Sequence, residues 1–205
     1  MKLYFSPGAC SLSPHIVLHE LGLPFDTVQV DLKTKKTADG RDFRTINPKG
    51  YVPTLELDDG TILTEGPAIV QYLADRKPEL HLAPANGTLA RYQLQEWLNF
   101  ISTELHKQFS PLFNPASSAE LIAAQKQRLA ERFALIAQTL DKQDWLLPQG
   151  FSVADAYLYT VMSWAGYVGV DLSPWPALER YKARMEARPG VAAALAAERN
   201  AKKAG

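Results

Sequence analysis

A chain of 205 residues with a single cysteine, Cys10, cannot close an internal disulfide. That scarcity excludes a disulfide scaffold and a two-thiol redox centre, and it points to a reducing compartment. Net charge is equally lacking: 22 lysines and arginines balance 22 aspartates and glutamates. A balanced chain offers no electrostatic pull on nucleic acid or an anionic membrane surface. No run of apolar residues approaches the roughly 18 to 20 needed for a membrane span. The chain opens on the strand-like KLYF rather than on the apolar stretch and small-residue cleavage site of a secretory leader. These absences predict a soluble cytoplasmic protein with no nucleic-acid or membrane partner. What is present is a 46% hydrophobic composition, enough for one large or two small cores.

The two halves of the chain have different periodicities. In the first, KLYFS (2–6) reads as a short strand and SLSPHIVLHEL (11–21) as a helix, with Leu12, Ile16, Val17 and Leu21 at helical spacing. Gly22 and Pro24 end it. FDTVQV (25–30) is a strand. YVPTLEL (51–57) and TILT (61–64), joined through DDG, form a hairpin. GPAIVQYLADR (66–76) is a helix with Pro67 near its start, where a missing N–H costs little. The order is β-α-β, then β-β-α, with an irregular segment 31–50 between them, so the sheet is mixed.

The second half has no convincing strand. Residues 87–109 place Leu94, Trp97, Leu98, Ile101 and Leu105 on one helical stripe. Residues 117–140 begin with Ser117 and Glu120 at capping-box spacing, and Ile122, Leu129, Phe133, Ile136 and Leu140 follow one face. SVADAYLYTVMSWAGYV (152–168) is apolar almost all round and predicts a central buried helix, capped by Ser152 with Asp155 as a shortened box. Two short helices near 176–187 and 190–199 complete the chain, and the tail NAKKAG is expected to fray. The proline-, asparagine- and glycine-containing joint lies at 80–87. The expected organisation is therefore an α/β domain over 1–80, a linker over 81–86 and an all-helical domain over 87–205.

Three stretches of the first half carry chemistry. Cys10, in SPGACSL, stands at the start of a helix, where the dipole favours a thiolate. Gly8 lets the backbone turn and Ser11 is positioned to cap. Position 13 is serine, so a thiol-disulfide cycle here needs an outside thiol. Most free cysteines are small buried fillers, and position alone leaves the two readings even. In KGYVPTL, Pro53 opens a strand and is placed for a cis bond, which would turn Val52 outward as an edge for strand addition by a peptide. An ordinary edge-strand proline is the competing reading. In TEGPAI, Glu65 precedes an open helix N-terminus, a combination suited to an ammonium and a carboxylate. On the helical side, Asn99, Thr103 and His106 are spaced by four and three and share a helix face. His15 and His19, at i and i+4, have metal-ligand spacing, yet no third ligand is evident; a surface pair is expected and no metal site. Trp164 is either pocket lining or core.

Taken together, PGACSLSPHI, NPKGYVPTLELDDGTILTEGPAIVQYLAD, EWLNFISTELHK and FSVADAYL resemble the bacterial beta class of the glutathione S-transferases, over essentially the whole chain. The resemblance implies a thioredoxin-like first domain, a helical bundle after it, and a homodimer. It implies an enzyme that transfers small hydrophobic alkyl or aryl electrophiles to glutathione in detoxification, with glutathione as co-substrate and no other cofactor. It places Cys10 at the glutathione sulfur, where a mixed disulfide can form. Lys35 is placed at the glycine end, Val52 with Pro53 along the cysteinyl backbone, and Glu65 with Gly66 at the γ-glutamyl end. Asn99, His106 and Lys107 come near the sulfur, with Ser11 as a further catalytic hydroxyl. Thr103 and Leu105 line the tripeptide, and Glu104 reaches the glutathione of a neighbouring subunit. Many relatives carry serine where Gly66 stands. Two other functions remain open on the same scaffold: a glutathione-dependent reductase or dehalogenase, and a non-catalytic carrier of hydrophobic ligands.

Overall fold

The computed structural model describes residues 1–204. The chain forms two compact units, one of residues 1–83 with the described residues from 187 onward and one of residues 84–186. This amends the expected boundary, because the last helix belongs with the first unit and not with the helical one.

The first unit is built on a five-stranded sheet in the order β3-β2-β1-β4-β5. Its strands are β1 (Lys2–Phe5), β2 (Asp26–Asp31), β3 (Lys36–Thr37), β4 (Thr54–Glu56) and β5 (Ile62–Thr64). β1 runs parallel to β2, with Leu3 opposite Thr27, and antiparallel to β4, with Tyr4 opposite Thr54. The hairpin β4–β5 turns at Gly60, whose φ of 84° suits a residue without Cβ. The 31–50 stretch is more ordered than its irregular sequence predicts. Asp31 accepts from the Lys33 and Thr34 N–H groups, and the two-residue edge strand β3 follows. A strand that short carries too few side chains to show period-two alternation.

Helix α1 (Leu12–Leu21) ends at Gly22 in the left-handed conformation, as its glycine predicts. Eight of its ten residues are buried. One helix face cannot account for that. α1 is enclosed by α2 (Gly66–Asp75) and by the C-terminal helix α9 (Pro189–Ala204). The Glu20 carboxylate receives two hydrogen bonds from Arg188, at 3.1 and 2.6 Å. Close packing continues beside that pair, since a Cβ on Gly190 would lie 2.7 Å from Glu20. α9 is thus longer than the expected 190–199 helix and carries the supposedly frayed tail to Ala204. Gly205 lies outside the described residues.

The second unit contains α3 (Leu89–Phe100), α4 (Lys107–Phe109), α5 (Ala119–Leu140), α6 (Val153–Met162), α7 (Ala165–Val168) and α8 (Pro176–Glu186). Between α3 and α4 the chain takes a π-helical turn over Ile101–His106, so the expected continuous helix 87–109 is three segments. The Lys107 N–H reaches back five residues to Ser102 O, which widens the turn. The cap of α5 is Ser118, accepting from Leu121 N–H, and not Ser117, whose hydroxyl donates to Pro111 O. All ten residues of α6 are buried. The expected shortened box is present: Asp155 Oδ2 accepts from the Ser152 N–H and hydroxyl, both at 2.9 Å. Asp155 Oδ1 accepts from Leu146 N–H and from the Tyr181 hydroxyl. Burial pushes the Asp155 carboxyl up to about 6 against the pull of these four donors.

Candidate functional site

In the first unit the loop from β1 to α1 presents Cys10, which is partly exposed. Its Sγ lies 3.1 Å from Val52 O and donates to it. The Val52–Pro53 peptide is cis, and both residues are buried. The carbonyl of Val52 is therefore not the free edge the sequence suggests: the thiol occupies it. No described residue accepts from the Val52 N–H. The α1 N–H groups nearest the sulfur are partly spent. Leu12 donates to Ala9 O and Ser13 to Cys10 O, while Pro14 has no N–H. Ser11 does not cap α1. It is fully buried, accepts from Ser6 N–H at 3.1 Å and donates to Ser6 O at 3.2 Å. The expected catalytic hydroxyl is a clasp that closes the Cys10 loop, because it has no exposure to a ligand.

The same loop is tied to α9. Glu198, 5% exposed, accepts from Gly8 N–H at 2.7 Å and contacts His15 Nδ1 at 3.2 Å. His15 is 1% exposed and stacks on His19 with ring centroids 5.1 Å apart. The expected surface histidine pair is thus packed inward, His15 buried and His19 half-buried. Burial, and then the charge of His15, hold His19 below its ordinary value. No group of three or more metal-ligating side chains occurs among the described residues.

Around Val52 the loop is braced by a residue that periodicity does not reveal. Asn47, 2% exposed, donates through Nδ2 to Tyr51 O at 2.8 Å and to Thr54 Oγ1 at 3.0 Å. Its Oδ1 accepts from Lys49 N–H at 3.1 Å. Lys35 Nζ donates to Gly50 O at 3.0 Å and lies 5.5 Å from the centre of the exposed Tyr51 ring, so its charge is held beside this loop. Glu65, ahead of α2, pairs with Lys49 Nζ at 2.7 Å. Gly66 opens α2, and a Cβ placed on it would meet only Pro53 Cγ at 3.8 Å. Lys35 and Glu65 share a further feature. Among the described residues three non-glycines have positive φ, and these two, at 59° and 71°, are among them. Such conformations cost about 1 to 3 kcal/mol and concentrate at functional positions.

In the second unit, Asn99 and Thr103 are exposed, and the Thr103 hydroxyl donates to Asn99 O at 3.1 Å. His106 is half-buried: Nδ1 lies 2.6 Å from the Tyr157 hydroxyl, and the ring meets the Trp164 face edge-on at 4.9 Å. Widening at the π turn explains why the three do not form one uniform polar stripe. Trp164, 6% exposed, also packs on Phe109 and Phe113, so it belongs to the core. Lys107 is exposed. Leu105 is fully buried, so its side chain does not line a ligand. Glu104 is partly exposed and paired with Arg132, its Oε2 accepting from Nε and Nη2 at 3.0 Å each. Of these contacts, Asn47, Lys49, Tyr157 and Glu198 were missed by sequence reasoning. NPKG and FSVADAYL contain the first three, but nothing in their spacing marks a brace or a histidine partner.

A thiol held on a loop edge, beside an amide without a partner and a carboxylate at a helix start, suits a peptide carrying a sulfur. The comparisons agree. Residues 8–76 match the family model of the glutathione S-transferase N-terminal domain, and residues 100–189 that of the C-terminal domain. The chain belongs to the glutathione S-transferase family. This glutathione transferase is 46% identical to glutathione S-transferase GstA of Escherichia coli O157:H7, over 97% of this chain and 98% of the relative. A solved ternary complex of BphK, a bacterial member, is 60% identical with a TM-score of 0.95, covering 97% of this chain and 99% of that one. A beta-class transferase from Sphingomonas chungbukensis is 48% identical with a TM-score of 0.94, covering 97% and 98%. Beta class and a thioredoxin-like sheet unit with a helical unit describe this transferase too. No described helix is long and apolar enough to cross a membrane.

Proposed function

We propose that this transferase conjugates reduced glutathione to small hydrophobic electrophiles and also reduces small glutathione mixed disulfides through Cys10. The observation that carries the reading is the Cys10 Sγ to Val52 O contact of 3.1 Å, which sets the lone thiol on the edge where a peptide would pair. A cysteinyl backbone pairs with the Val52 N–H by strand addition. The γ-glutamyl ammonium goes to Glu65, displacing Lys49, and its carboxylate to the α2 N-terminus at Gly66. Lys35 receives the glycine carboxylate. In conjugation the glutathione thiolate attacks the electrophilic carbon; a C–S bond forms and the halide or other leaving group departs with its electron pair. Asn99, His106 and Lys107 stabilise that thiolate, each unit of pKa depression being worth about 1.4 kcal/mol. In reduction the Cys10 thiolate attacks the glutathionyl sulfur of a mixed disulfide and the small thiol leaves. A second glutathione then attacks that sulfur, releasing glutathione disulfide and restoring Cys10.

Glutathione serves as co-substrate, with no resident cofactor, in a cytoplasmic homodimer. Leu89 (74% exposed) and Tyr92 (60%) on α3, with Leu135 (51%) on α5, offer apolar surface for a second copy. The test compares turnover of an aryl halide with turnover of a glutathione mixed disulfide in wild type and Cys10→Ala. The variant is expected to lose the disulfide reaction and the 1:1 adduct by mass spectrometry, and to keep measurable conjugation. An adduct that persists in the variant overturns the assignment of Cys10.

A further inference from the structure

We propose that Tyr157 is a positioning residue that locks His106 in the tautomer with its proton on Nε2; the functional part of this inference rests on the glutathione reading above. His106 stands at the last position of the π-helical turn Ile101–His106. The i→i+5 bonding of that turn rotates the positions after it relative to a regular helix, and the extra residue is accommodated without breaking the chain. Two side chains support the turn: Thr103 Oγ1 donates to Asn99 O at 3.1 Å, and Gln108 Nε2 donates to Thr103 O at 3.0 Å. His106 is therefore held against α6, where Tyr157 is 3% exposed and its hydroxyl lies 2.6 Å from Nδ1. The edge-on contact with Trp164, at 4.9 Å and 69° between planes, fixes the ring plane. Position and plane are thus both determined by neighbours, and the remaining freedom is which nitrogen carries the proton.

A neutral imidazole has one donor and one acceptor nitrogen. A phenol delocalises its oxygen lone pair into the ring, so it donates more strongly than it accepts. The short O···N distance fits an O–H···N bond from Tyr157 to Nδ1. That bond leaves the proton on Nε2, and the neutral ring then presents an N–H to an incoming group. An N–H stabilises a sulfur anion, whereas the other tautomer would present a lone pair to it. Tyr157 thus decides the sign of the interaction through His106.

Long-range nitrogen-15 NMR of the histidine ring reads the tautomer directly. Wild type is expected to show protonated Nε2 and unprotonated Nδ1 at His106. Tyr157→Phe keeps the ring and its packing and is expected to show a mixture of tautomers. Its kcat for an aryl halide should fall roughly tenfold, as expected for one lost hydrogen bond to the transition-state apparatus, with KM for glutathione nearly unchanged. A wild-type His106 protonated on Nδ1, or a Tyr157→Phe variant with both tautomer and kcat unaltered, overturns the assignment. Absence of glutathione turnover in wild type would overturn the glutathione reading instead, and the ring spectrum still decides the Tyr157–His106 pairing.

Discussion

Asn47→Ala tests whether the loop that carries Val52 must be braced for glutathione to bind. The side chain makes three hydrogen bonds, to Tyr51 O, Thr54 Oγ1 and Lys49 N–H, and is 2% exposed. Each such bond contributes about 1 kcal/mol net, and a buried partner left alone costs about 1 to 3 kcal/mol. Thr54 Oγ1 retains its own bond to Tyr51 O at 3.1 Å, which limits the damage. The expected loss is therefore roughly 3 kcal/mol of folding stability, read by urea denaturation of the variant against wild type. Because the freed segment includes Val52, part of that energy must be supplied again when the tripeptide orders it. If half is, glutathione affinity falls about tenfold, since 1.4 kcal/mol is one decade. Titration calorimetry measures the affinity on folded variant. A variant that loses stability but binds glutathione as wild type does would refute the link between the Asn47 brace and the binding edge.

Gly66→Ser should tighten glutathione binding by about three- to tenfold in calorimetry, because its Cβ fits beside Pro53 and its hydroxyl adds a donor at the start of α2; unchanged affinity would place the γ-glutamyl carboxylate elsewhere. Asp155, whose folded pKa of about 6 lies above the ordinary 3.8, binds its proton more tightly in the native state. Its contribution is complete below about pH 4 and declines by about 3 kcal/mol as pH rises through 6. Asp155→Ala should remove that slope from the denaturation profile and destabilise the protein by roughly 3 kcal/mol or more; a slope that persists contradicts the assignment. Glu198→Ala orphans His15 inside the fold and should lower stability by about 2 kcal/mol. Glu198→Gln can still accept from Gly8 and face His15, so it should recover most of it; equal loss in both variants would show that packing, not hydrogen bonding, is at stake.

The first unit was legible wherever local chemistry marks an element: Gly22 ends α1, Asp-Gly turns the hairpin, and Ser152 with Asp155 caps α6. The edge strand Lys36–Thr37 was not, because it is too short for a period. The π turn at Ile101–His106 was hidden because a six-residue change of bonding hardly disturbs an apolar stripe sampled at Leu94, Leu98, Ile101 and Leu105. α9 was assigned to the helical half because chain order suggests it, whereas its partner α1 lies some 170 residues earlier. Cys10, Val52, Pro53 and Glu65 were read from motifs that bring rare residue types to loop positions. Asn47, Tyr157 and Glu198 act on other side chains at a distance in sequence, and periodicity carries no record of such pairs. Ser11 and Leu105 adjoin Cys10 and His106 in sequence, yet both side chains are buried, since adjacency along the chain does not make a side chain accessible.

The most direct test of the central claim is a crystal structure of the reduced protein soaked in glutathione. The account predicts the cysteinyl backbone paired with the Val52 N–H, the sulfur at Cys10, and Glu65 on the γ-glutamyl ammonium in place of Lys49. A tripeptide bound away from Val52, or none at millimolar glutathione, would contradict it.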